Sequence, residues 1–181
     1  MAQRPVPCAD CDACWADARL VTPLPALGPR GEGWVLLQVA LIPLIAILGA
    51  LALPAAIEEW LSSWPFVIQG ALLIGIGGWV VIRAARRLGD SLTAMPRPRD
   101  DARLVQDGIY ARVRHPMYSG VMGLGLGWAL VTLSLPALIA ALVLAVVLDL
   151  KARREEGWLA DRYPGYPEYR SRTHRFIRGV Y

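Results

Sequence analysis

The chain has 181 residues, of which 55% are apolar, and it carries 19 Lys and Arg against 15 Asp and Glu for a net charge of +4. That length suits one compact domain, but the apolar share is too high for an ordinary soluble one. Nucleic-acid binding is the weaker reading of the positive charge, because the basic residues sit close to the ends of apolar runs and no nucleic-acid motif accompanies them.

Residues 1–32 are rich in Pro, Ala, Asp and Gly and read as a flexible cytosolic arm. The arm holds all three cysteines, Cys8, Cys11 and Cys14, at two successive C-x-x-C spacings. A tetrahedral zinc site takes four ligands, and a ferredoxin-like run would place a fourth cysteine where this chain has Ala18. The alternatives are a metal- or redox-sensing arm and an incidental thiol-rich tail; no metal is expected at the catalytic site. No cleavable signal peptide is expected, since no basic region followed by an apolar one precedes residue 33.

Three uncharged runs come next in the chain: Gly33 to Ile57, Trp60 to Ile82 and Pro116 to Leu148. A membrane-spanning helix needs about 20 mostly apolar residues, so each of the first two supplies one span. As a single helix the third would stand roughly 50 Å tall. Pro136 offers the break, because it disfavours helix at Leu135 and can open a new one. The expected fold is all-α and polytopic, with about four transmembrane helices near 34–53, 65–83, 117–133 and 136–150. The last two form a helical hairpin, a helical cytosolic cap occupies 151–181, and 33–181 make one membrane-embedded domain. A soluble helical bundle would need polar faces that these runs lack.

Charge sets the orientation. Three basic residues lie in 1–33, eight in 83–114 and eight in 151–178, whereas the 58–59 connection carries Glu58 and Glu59. Short loops rich in Lys and Arg stay cytoplasmic, so both termini and the central loop should face the cytosol, beside anionic headgroups.

Gly123-Leu-Gly-Leu-Gly127 has the look of a nucleotide loop, but it lies inside a span with no strand before it. Glycines at such spacing let helices pack closely. Gly120, Gly123 and Gly127 also form one stripe, which could instead leave a groove for an acceptor's tail. Trp34, Trp60, Trp64 and Trp79 near span ends are ordinary interfacial anchors.

Chemistry concentrates in Asp107-Gly-Ile-Tyr-Ala-Arg-Val-Arg-His-Pro-Met-Tyr-Ser-Gly120. Pro116 should hold His115 extended and start a helix, exposing the Met117 and Tyr118 amides at a helix N-terminus suited to an anion. Gly120 would let a ligand approach the first turn. Arg112 and Arg114 could bind an anionic group or simply headgroup phosphates. The last span should run on into Asp149-Leu-Lys-Ala-Arg-Arg-Glu-Glu-Gly157, where Glu155 and Glu156 point about 100° apart. One could face the bundle while the other meets solvent or arginine, and a buried carboxylate would suit an ammonium or sulfonium. Tyr163-Pro-Gly-Tyr166 and His174-Arg-Phe-Ile177 mix aromatics with arginine, as a cap over a cationic, adenine-bearing ligand would.

Together, Gly108-Ile-Tyr110, Val113-Arg-His-Pro-Met-Tyr-Ser-Gly120, Glu155-Glu156 and Tyr163 to Ile177 resemble the isoprenylcysteine carboxyl methyltransferase and phospholipid methyltransferase superfamily. The resemblance spans roughly residues 70–179, with Arg178 where relatives often carry proline. It implies an integral-membrane enzyme using S-adenosylmethionine without a Rossmann domain. It further implies a cofactor site of Tyr110, His115, Pro116, Met117, Tyr118, Gly120, Glu155 and Glu156, with Arg114, His115, Tyr166 and Arg175 as catalytic candidates. An Arg-rich, Lys-poor chain of this size suggests the bacterial inner membrane. The acceptor is expected to be a lipid or lipophilic small molecule bearing a carboxylate, thiol or amine. A carboxylate would need only an arginine to orient it. A thiol or protonated amine must lose a proton, with His115, Glu155 or Tyr166 as conceivable bases. A non-methylating reductase-like relative that uses a nicotinamide and a catalytically silent adaptor remain as alternatives. The oligomeric state is left open.

Overall fold

A computed structural model of the chain describes residues 27–53, 62–89, 92 and 104–177. Cys8, Cys11 and Cys14, Glu58 and Glu59, and Arg178 lie outside the described residues. Within them the fold is all-helical: α1 Glu32–Leu51, α2 Trp64–Leu88, α3 Pro116–Val131, α4 Leu135–Arg162 and the short α5 Tyr166–Ser171. A 3₁₀ turn, Gly108–Ala111, leads toward α3.

Three helices, α1, α2 and α4, are long and apolar enough to cross a membrane. The fourth, α3, has 16 residues. At about 1.5 Å per residue it rises roughly 24 Å, short of a hydrocarbon core of about 30 Å. Both of its ends have a local cause. Pro116 occupies the first turn after His115, whose φ of −122° is not helical. At the other end Leu133 adopts a φ of +53°, which reverses the chain. The next helix starts at Leu135, one residue earlier than expected. Ser134 caps it, accepting from the Ala137 amide at 3.2 Å and donating to Leu48 O at 3.1 Å. Pro136 sits inside the first turn, where its missing N–H costs nothing. The last span and the charged segment after it are continuous, because α4 runs as one helix of 28 residues from apolar into charged sequence.

The shortest long helix is the central one. α3 packs against α2, α4 and α1, and α1 lies along α4. The α2–α3 seam depends on glycines seven apart in both helices. A Cβ on Gly77 would fall 2.7 Å from Gly120 O, and one on Gly70 would fall 2.6 Å from Gly127 O. Gly123 also lies against this helix, its Cβ position 3.5 Å from Leu73 O. The glycine stripe of α3 is therefore filled by α2 backbone, and the groove expected there for an acceptor's tail does not exist. Without a hydrophobic drive between helices in lipid, close backbone approach is what yields packing energy.

On the other side of α3, Ile45, Ala140, Ala141, Leu144 and Leu148 form the core, with Tyr118 and Trp128 packed against it. Remaining apolar side chains such as Leu36, Ile47, Phe66, Leu72, Ile76, Leu142 and Val146 point outward. Such a surface would aggregate in water; in a bilayer it is the face that meets lipid.

Candidate active site

The functional residues meet at one end of the bundle, where the start of α3, the charged half of α4 and the C-terminal segment converge. Arg114 N donates to His174 O at 2.8 Å, His115 N to Arg175 O at 3.0 Å and His174 N to Arg112 O at 3.1 Å. These bonds make the isolated parallel bridge between Val113 and His174. Ser119, in the first turn of α3, adds a hydroxyl bond to Phe176 O at 2.8 Å. The approach to α3 is tied to α2 as well, because the Arg87 guanidinium pairs with Asp107, its Nε 2.6 Å from the carboxylate.

Glu155 and Glu156 serve different environments. Glu156 is 4% exposed. Its Oε1 accepts from Arg114 Nε at 2.9 Å and Arg175 Nε at 3.1 Å, and its Oε2 accepts from Arg175 at 3.1 Å. Arg175 thus grips it with two nitrogens, the planar fork geometry that gives arginine its specificity for carboxylates. Arg175 also reaches Asp149 at 3.3 Å. Arg114 in turn donates to Arg170 O at 3.1 Å and to Thr173 O. Glu156 is accordingly the pin that holds three chain segments together.

Glu155 keeps 24% of its side chain exposed and accepts the Tyr118 hydroxyl at 2.9 Å. Between the two carboxylates lies the His115 imidazole, 7% exposed. Its Nδ1 stands 3.7 Å from Glu155 and its Nε2 3.3 Å from Glu156. The second distance is short enough for attraction, but the angle is not that of a hydrogen bond, so Nε2 remains buried without a hydrogen-bond partner. The imidazole stacks on Tyr118, rings 5.3 Å apart and 7° from parallel, and meets Phe176 at 6.1 Å.

Tyr166 is buried against Tyr169, with ring centroids 5.9 Å apart, and its hydroxyl oxygen is buried with no hydrogen-bond partner. Burial, reinforced by the negative charge of Glu156, holds that phenol well above the ordinary tyrosine range. It is therefore a proton donor at neutral pH. Tyr169 donates to Tyr110 O at 2.7 Å, and burial pushes its own phenol up to about 12. Burial followed by the charge of Glu155 raises Tyr110 in the same way.

Arg114, His115, Tyr118, Glu155, Glu156, Tyr166 and Arg175 are thus brought together, with Tyr110 joined through Tyr169. Pro116 is fully buried and Met117 half-buried at the start of α3. Gly120 is the exception. A Cβ there would meet Val81 at 2.6 Å and Gly77 O at 2.7 Å, so it faces α2 and not a ligand cleft. Two residues beyond Tyr118, it points about 200° around the helix. Sequence reasoning passed over Asp149, Ser119 and Thr173. Asp149 and Glu156 share one face at i, i+7, which was a readable signal; backbone acceptors such as Thr173 O leave none.

A family model described as phospholipid methyltransferase matches residues 65–165. The chain belongs to that family. No curated protein matches it. The matched region covers α2 from its second residue and all of α3 and α4, both glutamates included. Membership brings methyltransferase activity on membrane lipid-like substrates, in keeping with helices apolar enough to cross a bilayer. Arg175 and Phe176, which close the site in space, lie beyond the matched stretch of this phospholipid methyltransferase family member.

Proposed function

We propose that the protein transfers a methyl group from S-adenosylmethionine to a lipophilic acceptor at the cytosolic face of a bacterial inner membrane. It would cross that membrane four times with both termini inside. The observation that carries the reading is the half-open Glu155–Tyr118–His115 wall beside two buried polar atoms that make no hydrogen bond, His115 Nε2 and Tyr166 Oη. A carboxylate with accessible surface suits an ammonium or sulfonium, stacked aromatics suit a purine, and orphaned buried groups call for a polar ligand. The residues present fit the cofactor.

When bound, S-adenosylmethionine supplies an electrophilic methyl carbon on a cationic sulfur. The chain's part is to bind and align. Glu155, held by the Tyr118 hydroxyl, would face the ligand's positive charge. Glu156, saturated by Arg114 and Arg175, fixes His115 and the C-terminal strap instead of touching the ligand. Alignment of reacting groups contributes several kcal/mol, up to about 7–11 in favourable systems. For a thiol or amine acceptor His115 is the base to test, because its imidazole lies between the Glu155 and Glu156 carboxylates. Tyr166, kept protonated by burial, would donate a hydrogen bond to the bound ligand.

Calorimetry of the detergent-purified protein tests this. S-adenosylhomocysteine should bind and NADPH should not. His115→Ala should weaken S-adenosylhomocysteine roughly tenfold, about 1.4 kcal/mol. Binding of NADPH would support a reductase-like relative, and binding of neither would support a silent adaptor.

A further inference from the structure

Of the chain's 19 basic residues 18 are arginines, and the single lysine is Lys151. It is also the most deeply buried cation among the described residues, 2% exposed. Its Nζ lies 2.7 Å from Gln38 Oε1, and Gln38 stands in the apolar stretch of α1, six residues in from Glu32. The same ammonium lies 5.1 Å from the centroid of the Tyr118 ring, the ring that stacks on His115. Among the described residues no carboxylate comes within 4.0 Å of it. Glu155, one turn further along α4, accepts the Tyr118 hydroxyl instead of contacting the ammonium. A lysine ammonium has three donors, and one amide oxygen with one ring face leaves two of them unmatched, while the charge of Glu155 reaches it only from beyond 4.0 Å. A buried cation with no carboxylate in contact is costly and calls for an anionic partner.

We infer that Lys151 and Gln38 form an acceptor subsite, where the ammonium receives the anionic group, carboxylate or phosphate, of a membrane-borne acceptor. This rests on the methyl-transfer reading, and it specifies an acid lipid as the substrate class. The subsite lies in the α1–α4 seam, one aromatic ring away from His115, so the acceptor's charged end would be anchored beside the cofactor wall while its tail stays among apolar side chains. Arginine would serve less well there. Its five-donor fork needs more acceptors than the seam provides, whereas a point charge on a flexible stem can follow a carboxylate or a phosphate.

The single lysine makes the test clean. Full-length protein labelled with [13Cε]lysine gives one side-chain signal. In detergent with S-adenosylhomocysteine present, it is titrated with 9,10-dibromostearate, the matching alkyl phosphate and the matching alcohol, with tryptophan quenching reporting affinity. The two anions should shift the Lys151 signal and bind at least tenfold more tightly than the alcohol. The stronger of the two identifies the carboxylate or phosphate source. Lys151→Met should erase that preference while S-adenosylhomocysteine affinity is unchanged. Gln38→Glu, which supplies an internal counter-ion and keeps the lysine, should erase it as well and decides the matter should Lys151→Met fail to fold. Equal binding of anions and alcohol by the wild type overturns the proposal. So do variants that melt earlier yet retain the preference, because the pair would then only pin α1 to α4. If the wild type binds no S-adenosylhomocysteine, the methyl-transfer reading falls, and the anion preference separately decides whether the subsite stands.

Discussion

The two adjacent glutamates should separate stability from binding. Glu156→Gln keeps the shape of the side chain and removes its charge, leaving Arg114 and Arg175, whose side chains are 8% and 12% exposed, without their main counter-ion. Removing one member of a buried ion pair costs about 3–5 kcal/mol, chiefly because the remaining charge is stranded. Asp149, 3.3 Å from Arg175, offsets part of that, so the lower half of the range is expected. At roughly 2–4 °C per kcal/mol for a chain of this size, the melting temperature should fall by about 6–16 °C. Glu155→Gln loses one hydrogen bond from Tyr118 at a half-open site, about 1 kcal/mol, and should melt within about 4 °C of wild type. Its S-adenosylhomocysteine affinity should nevertheless drop at least about tenfold. Melting followed by circular dichroism in detergent, together with calorimetry on the same samples, reads both quantities. Equal melting shifts in the two variants, or a Glu156→Gln protein as stable as wild type, would refute the division of labour.

The glycine seam predicts that Gly77→Ala destabilises by about 1–3 kcal/mol through backbone overlap with Gly120. Gly75→Ala, whose Cβ would meet nothing within 4 Å, should be neutral or slightly stabilising in the same denaturant titration. Ser134→Ala should cost about 1 kcal/mol by uncapping α4, with activity retained. Alkali should unfold the protein early. Unfolded phenols ionise near pH 10, whereas Tyr169 holds its proton to about 12 and Tyr110 and Tyr166 are likewise raised. Their contribution is therefore complete below pH 10 and is lost as pH rises toward 12; absorbance at 295 nm should show late tyrosinate formation until the fold collapses. A cysteine placed at Ser62 in a cysteine-free background should react with an impermeant reagent from outside intact cells, and reaction only from the cytosolic side would invert the topology.

Local features of the chain determined much by themselves. Apolar runs marked the helices α1, α2 and α4, since the length needed to satisfy backbone groups in a bilayer is set by its thickness. Pro116 marked the start of α3 because a proline constrains the residue before it. The grouping of Arg114, His115, Glu155 and Glu156 was legible through the family's motif, and the four side chains lie together in space. Other features depended on which helix faces which. Glycine permits both a groove and a close approach, so only the seating of α2 on α3 decided what Gly120 and Gly127 do. Two neighbouring glutamates are equivalent on paper; burial beside Arg175 made Glu156 a pin, and the Tyr118 hydroxyl left Glu155 half-open. Gln38 and Lys151 stand 113 residues apart. Nothing in either neighbourhood announces the other, because a long-range polar pair exists only once α1 has docked along α4.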